Sequence, residues 1–402
     1  MLKRNYNLLM RSLALPQFSN IKELSNLIGL TESLIYCLSK RTENYYKKKY
    51  ISKKNGEKRE IYIPSYTLKI VQKWILYNIL NKVKPSNQAM AFRKGKEYNC
   101  KANAQFHIET RYGVAMDLKE FFTNIKSNRI YTVFSNIGYE SVAATILTNL
   151  CTLDGFLPQG SSCSPALSNL VCLSLDARLS GLCEKRRIRY SRYADDMYFS
   201  CDNQDVLKKT VPIIKKIITD EGFFVNERKV HYHTPSNRKC INGITIARKS
   251  ADSEPVIKAS KKLKRNIRAE LYYAILSGDY SKKEHVIGEI MYVNYIENDY
   301  VERILRYIDQ LADKIRLYPE LVAKYNENFF FETQNEIEKV DLHQIEKEFG
   351  DEYEFYMYME DLFEQRQRFL KKNELKDICK YVGWPTFDTT TENDFCDDEF
   401  PF

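Results

Sequence analysis

The sequence predicts an α+β fold with a helical N-terminal extension and an acidic C-terminal extension, on three observations. Two stretches carry the alternation and tight bend of antiparallel hairpins, KYISKKNGEKREIYIP near the start and IRYSRYADDMYFSC in the middle. From about 112 to 250 strand-like and helical segments alternate, and after about 256 the apolar spacing is helical throughout. Charge is also divided: residues 321–402 hold 9 of the 62 Lys and Arg but 21 of the 53 Asp and Glu, leaving 53 basic against 32 acidic residues in the rest.

Taken in order, SNIKELSNLIGL offers Ser19 or Asn20 as a helix cap, with Ile21, Leu24, Leu27 and Ile28 on one face. The first hairpin turns at Asn55-Gly56, a dipeptide suited to the left-handed backbone of tight bends, and Pro64 closes it. LKIVQKWILYNIL follows as a helix with Leu68, Val71, Ile75 and Ile79 as its ridge. YGVAMDL is a strand ending at Asp117, and NRIYTVFSNIGY and SVAATILTNLC are helical. Ser164-Pro165 then caps a helix whose Leu167, Val171, Leu175 and Leu179 share a face. Residues 206–219 are helical, FFVNERKVHYH and INGITIA are strands, and KASKKLKRNIRAELYYAIL is a basic helix. DYVERILRYIDQLADKI repeats apolar residues at 301, 304, 305, 308, 311 and 315.

A chain of 402 residues suits two or three subdomains, and 44% apolar with 13% aromatic residues excludes wholesale disorder. No run approaches the length of a membrane span, so a cytoplasmic protein with no membrane partner is expected. The ten cysteines stand singly, without zinc-ligand spacing, and are expected reduced; His231 and His233 alternate in a strand and are read as surface residues. The positive excess before residue 321 is what a polyanion-binding surface requires, since it concentrates nucleic acid and releases counterions on binding.

Tyr193-Ala194-Asp195-Asp196 is the sharpest chemical feature. Two carboxylates at a strand bend are expensive to desolvate unless a cation pairs with them. With Asp117 at the end of another strand, three carboxylates could hold two Mg²⁺ about 4 Å apart, one activating a 3′-hydroxyl and one gripping a triphosphate. Between these elements LPQGSSCSP, residues 157–165, combines a turn, small side chains and a helix start, which lets a base pair and phosphates approach the backbone.

The ordered set MDLKEFF, LPQGSSCSPALSN, YADD, FVNERK and ING resembles the reverse transcriptases over about residues 45–315. The resemblance implies a right-hand polymerase: fingers over 51–112, palm over 113–250 with interspersed fingers elements, and a helical thumb over 251–320. The N-terminal extension then covers 1–50 and the acidic extension 321–402. It implies that Asp117, Asp195 and Asp196 ligate two Mg²⁺, with the Leu118 carbonyl as a further ligand. Phe122 would lie under the incoming sugar and select dNTP over rNTP. Gln159 and Gly160 would line the nucleotide site, Arg59 would hold the triphosphate, and Lys229 would protonate the leaving pyrophosphate.

Asn103-Ala104-Gln105-Phe106-His107 is similar to the NAxxH signature of retron reverse transcriptases, and Ile241-Asn242-Gly243 stands where that group has Val-Thr-Gly. That likeness implies a dedicated structured non-coding RNA, priming at an internal guanosine 2′-hydroxyl, RNA-linked DNA as product, and a part in defence against phage. RNA contacts are expected from Asn103, His107, Asn242 and Gly243, and from Lys258, Lys261, Lys262, Lys264, Arg265 and Arg268 on the basic helix, while an RNA–DNA hybrid occupies the palm. No fused RNase H is expected, so a host RNase H would remove the template. YNENFFFE and DEYEFYMYMED suggest a docking surface for an effector protein, and TTTENDFCDDEFPF a disordered tail. Oligomeric state stays open, as do two other readings: another bacterial defence or group II intron-like reverse transcriptase, and a non-catalytic RNA-binding or effector-sequestering module.

Overall fold

The computed structural model describes residues 10–52, 56, 58–248 and 254–311. The acidic extension with its expected docking surface and tail, residues 1–9, Asn55 and residues 312–320 lie outside the described residues. Two compact units emerge among the described residues: one takes in the chain up to Lys82 with Ser127–Ser164, the other Val83–Lys126 and the described chain from Pro165 to residue 311. Among the described residues no helix is long and apolar enough to cross a membrane, and the cysteines are free thiols.

In the first unit Asn20 starts the helix Ile21–Ile28 by accepting from the Glu23 N–H at 2.9 Å, while Glu23 accepts from the Ser19 N–H at 2.7 Å. Strands β1 (Tyr46–Ser52) and β2 (Lys58–Pro64) form an antiparallel ribbon, and Gly56 in its bend has φ 83°. The helix Tyr66–Asn78 buries Leu68, Val71, Ile75 and the following Ile79 completely. Gln72, also fully buried, donates to the Leu150 carbonyl at 2.9 Å and to the Tyr46 hydroxyl at 2.8 Å. Helices Ser127–Ile137 and Ser141–Cys151 complete the packing, as their apolar periodicity predicts.

Ser164 does not cap the helix that follows it. Its hydroxyl donates to the Pro158 carbonyl at 2.6 Å, and Ser161 Oγ instead accepts the Cys163 N–H at 3.2 Å. The single helix expected there is two, Ser164–Val171 and Leu173–Glu184, parted at Cys172. Leu167, Val171, Leu175 and Leu179 are all buried even so, which is why their spacing reads as one face.

The second unit is built on two small antiparallel sheets. The first contains β3 (Tyr112–Asp117), β4 (Arg189–Tyr193), β5 (Asp196–Cys201) and β6 (His231–His233) in the order β4-β5-β3-β6. The second contains β7 (Lys239–Ile241), β8 (Ile244–Ala247) and β9 (Val256–Lys258) in sequence order. Asn242 and Gly243 join β7 to β8 with φ 47° and 80°; positive φ at both central positions is the type I′ bend that matches strand twist. Helices Lys261–Ser277, Lys283–Ile296 and Tyr300–Gln310 close a core of Ile267, Leu271, Ile290, Val293, Ile304 and Ile308.

Candidate active site

The site starts from strand register. Asp117 on β3 pairs with Asp196 on β5, the last pair of an unbroken ladder that begins at Tyr112↔Cys201. The β4–β5 hairpin closes at Tyr193↔Asp196, so Ala194 and Asp195 form a two-residue bend, with Ala194 in the left-handed region at φ 58°. A non-glycine residue there costs about 1–2 kcal/mol, so the bend needs support. Two bonds supply it: the Leu118 N–H donates to the Asp195 carbonyl at 3.0 Å, and Arg192 Nη1 donates to the Ala194 carbonyl at 3.2 Å.

Arg192 is wholly buried. Its Nε and Nη2 donate to the two carboxylate oxygens of Asp176 at 2.9 and 2.7 Å, and Nη1 also reaches Asn169 Oδ1 at 3.1 Å. Asp176, equally buried, accepts from the Tyr190 hydroxyl at 2.8 Å. This group was not singled out from sequence, because charged residues so spaced ordinarily lie on surfaces.

Asp117 is 8% exposed and accepts from Lys229 Nζ at 2.7 Å and Asn226 Nδ2 at 3.5 Å. The segment carrying those two residues is tied down by the Asn226 N–H donating to the Asp117 carbonyl at 2.8 Å and the Lys119 N–H donating to the Phe224 carbonyl at 2.8 Å. The Asp117 carboxylate holds the Lys229 ammonium above its ordinary pKa. Asp196 still reaches solvent, yet its carboxyl is pushed up to about 6, first by burial and then by the charges of Asp195 and Asp117. Lys229 and a hydrogen bond from Asn242 oppose that rise. A cavity of ≈ 270 Å³ is lined by Asp117, Asp196, Lys229, Asn103 and Asn242 among others.

These carboxylates form an all-oxygen donor set, the kind hard divalent cations take. Burial first, and then the charges of Asp195 and Asp117, disfavour the Asp196 carboxylate, a cost that such a cation would offset.

The remaining expected residues fall in several places. Phe122 follows β3 in the short helix Phe121–Asn124, and its ring lies 5.3 Å from that of Phe121, which packs on Phe223 at 5.6 Å. Arg59, Gln159 and Gly160 belong to the first unit. Arg59 is exposed on β2, and the Gln159 carbonyl accepts the Tyr62 N–H at 2.7 Å. Gly160 has φ 121°, and a Cβ there would collide with the Tyr62 carbonyl oxygen. Lys258, Lys261 and Lys264 line a second cavity of ≈ 840 Å³ together with Arg111, Arg238 and Arg248. Lys262, Arg265 and Arg268 are exposed on the helix Lys261–Ser277. Lys264, however, is bonded to Glu297 at 2.7 Å, so its charge is already paired within the fold.

Two expected RNA contacts need correction. Asn103 is 2% exposed and His107 0%, and both side chains are engaged in hydrogen bonds to the protein, so their polar groups are already satisfied within the fold. Their sequence pattern marks a buried polar cluster.

The family described as Reverse transcriptase (RNA-dependent DNA polymerase) matches residues 51–264. The chain is 30% identical over 317 residues to the Retron Ec86 reverse transcriptase of Escherichia coli, covering 78% of this chain and 96% of that protein. It is 27% identical over 315 residues to the Retron Mx65 reverse transcriptase of Myxococcus xanthus, covering 73% and 72%. Among solved structures, apo telomerase from Candida Tropicalis truncated from the C-terminal domain aligns with a TM-score of 0.39 and 16% identity, over 57% of this chain and 60% of that chain.

Proposed function

We propose how this chain, which belongs to the retron-type reverse transcriptases and is an RNA-directed DNA polymerase, carries out its reaction and on what template. As a reverse transcriptase it copies an RNA template from dNTP substrates and works with divalent metal ions. The observation that carries the proposal is the register pairing of Asp117 with Asp196, with Asp195 in the adjoining bend. Asp117, Asp195 and Asp196, with the Leu118 carbonyl, hold two Mg²⁺. When bound, those ions supply activation of the primer 3′-hydroxyl and neutralisation of the triphosphate.

The chain's own residues do the rest. Lys229, whose ammonium already sits beside Asp117, donates the proton that the departing pyrophosphate requires. Phe122 excludes a ribose 2′-hydroxyl by size. Arg59, Gln159 and Gly160 bind the nucleotide. In these terms residues 51–112 are fingers, 113–250 palm and 251–320 thumb, and the exposed Lys261, Lys262, Arg265 and Arg268 contact RNA phosphates.

The template is a dedicated structured RNA, primed at an internal guanosine 2′-hydroxyl, and the product is a short DNA linked to RNA that serves in defence against phage with an effector protein. Host RNase H trims the template. The test is to express the gene with its native flanking DNA and extract the nucleic acid bound to the purified protein. A small DNA that stays joined to RNA until debranched, and that disappears in Asp195→Ala/Asp196→Ala, is the expected result. Unlinked DNA that still needs both aspartates would assign the chain to another class of bacterial reverse transcriptase. RNA alone, with no DNA, would leave an RNA-binding role.

A further inference from the structure

The two motifs whose likeness suggested RNA contacts meet at the catalytic strands instead. Asn242 Nδ2 donates to Asp196 Oδ2 at 3.3 Å, and Asn242 Oδ1 accepts from Asn103 Nδ2 at 2.5 Å. Asn103 Oδ1 accepts from the Ser191 hydroxyl at 2.6 Å. Ser191 Oγ lies 2.8 Å from His107 Nε2, and His107 Nδ1 lies 2.6 Å from Ser200 Oγ.

The direction of every bond follows. Ser191 donates its one proton to Asn103, so it must accept from His107 Nε2–H, which leaves Nδ1 to accept from Ser200. Burial holds the imidazole neutral, as this tautomer requires. Five bonds therefore run head to tail, from Ser200 through His107, Ser191, Asn103 and Asn242, and end on the Asp196 carboxylate. Aligned donors of this kind polarise one another in a low-dielectric interior.

We propose that Asn242 is a positioning residue that orients the Asp196 carboxylate toward the bound cation, and that His107, Ser191 and Asn103 form the buried relay that fixes Asn242. The inference rests on the reading of Asp196 as a metal ligand. It also accounts for asparagine where the resembled group carries threonine. The bend needs φ 47° at this position, which asparagine tolerates far better than a β-branched residue. The amide accepts from Asn103 while donating to Asp196.

Two substitutions test the relay. Asn242→Gly keeps the bend, because glycine adopts positive φ freely, and removes the amide. Asn242→Asp keeps the shape and the acceptor for Asn103 but turns a carboxylate toward Asp196. Removing a hydrogen bond that orients a metal-ligating carboxylate typically lowers metal affinity or activity about 10–100-fold. For both full-length variants kcat on a DNA-primed homopolymer RNA should fall by that factor. In Asn242→Gly, Mn²⁺ affinity, read by electron paramagnetic resonance without nucleotide, should weaken in parallel, while KM for dNTP and affinity for the primed RNA stay at wild-type values and the thermal midpoint falls because buried Asn103 loses its acceptor. Asp196→Asn is the control. Full synthesis in Asp196→Asn would remove the metal-ligand reading itself. An inactive Asp196→Asn beside wild-type kcat in both Asn242 variants and wild-type Mn²⁺ affinity in Asn242→Gly would overturn the relay alone. Lost RNA affinity at unchanged kcat would also overturn it and return Asn242 to RNA contact.

Discussion

Asp176→Ala should destabilise the second unit by about 3–5 kcal/mol, because it removes the carboxylate from a fully buried ion pair and strands the guanidinium. The structure sets the reason for so large a value. Asp176 and Arg192 are both 0% exposed, and the carboxylate takes two of the guanidinium's bonds in a bidentate grip. The other two protein partners of Arg192, Asn169 Oδ1 and the Ala194 carbonyl, carry no charge to replace it. The Tyr190 hydroxyl loses its acceptor as well. Against a total stability of about 5–15 kcal/mol this is a large fraction. Equilibrium urea unfolding followed by far-UV circular dichroism measures it. Replacing both partners together, Asp176→Leu/Arg192→Met, should recover much of the loss, since a buried pair exchanged for apolar residues is often neutral. That double variant still lacks the bond to the Ala194 carbonyl, so its DNA synthesis should stay depressed while its fold recovers. A loss below about 1 kcal/mol in Asp176→Ala, the range of an exposed pair, would refute the reasoning.

Two further outcomes are expected. Phe122→Val should raise kcat/KM for rNTP relative to dNTP by about 10- to 200-fold, the discrimination that small changes in pocket size provide, and an unchanged ratio would remove Phe122 from sugar selection. Lys239, 7% exposed, donates to the Thr110 carbonyl at 2.9 Å and to the His107 carbonyl; its pKa is lowered to about 8, first by burial and then by Arg189. Between about 8 and the ordinary lysine value of 10.5 the unfolded chain therefore holds more protons than the fold at this residue, so its contribution to stability rises with pH across that window. Lys239→Met should abolish this part of the pH dependence of urea unfolding, and parallel curves for variant and wild type would contradict it.

Much of the arrangement is legible in the sequence because it depends on local periodicity. The strand ending at Asp117, the hairpin around Asp195 and Asp196, and the ridge of the helix Tyr66–Asn78 each follow from spacing within one segment. What escapes is burial of polar groups, which depends on partners far away in the chain. Ser191 and His107, 84 residues apart, read separately as a strand residue and a family signature. Arg192, in the strand run before the acidic pair, carries no local sign of the buried Asp176 that lies against it. Asn242-Gly243 carries the same hairpin dipeptide as Asn55-Gly56, and its bend with positive φ at both residues follows from that turn chemistry.

The ladder between β3 and β5 also governs which changes of chain length this protein can survive. Side chains alternate faces along a strand, so Met116 and Met197, each 1% exposed, lie one step behind the paired aspartates and point the opposite way. Deleting or inserting a single residue within either strand would swap a thioether for a carboxylate at the site and drive the carboxylate into the core. Insertions in the connections outside these strands leave the alternation untouched. Over long divergence, or in a mutational library, length polymorphism should therefore pile up in those connections and vanish within Tyr112–Asp117 and Asp196–Cys201, even where individual side chains of those strands vary.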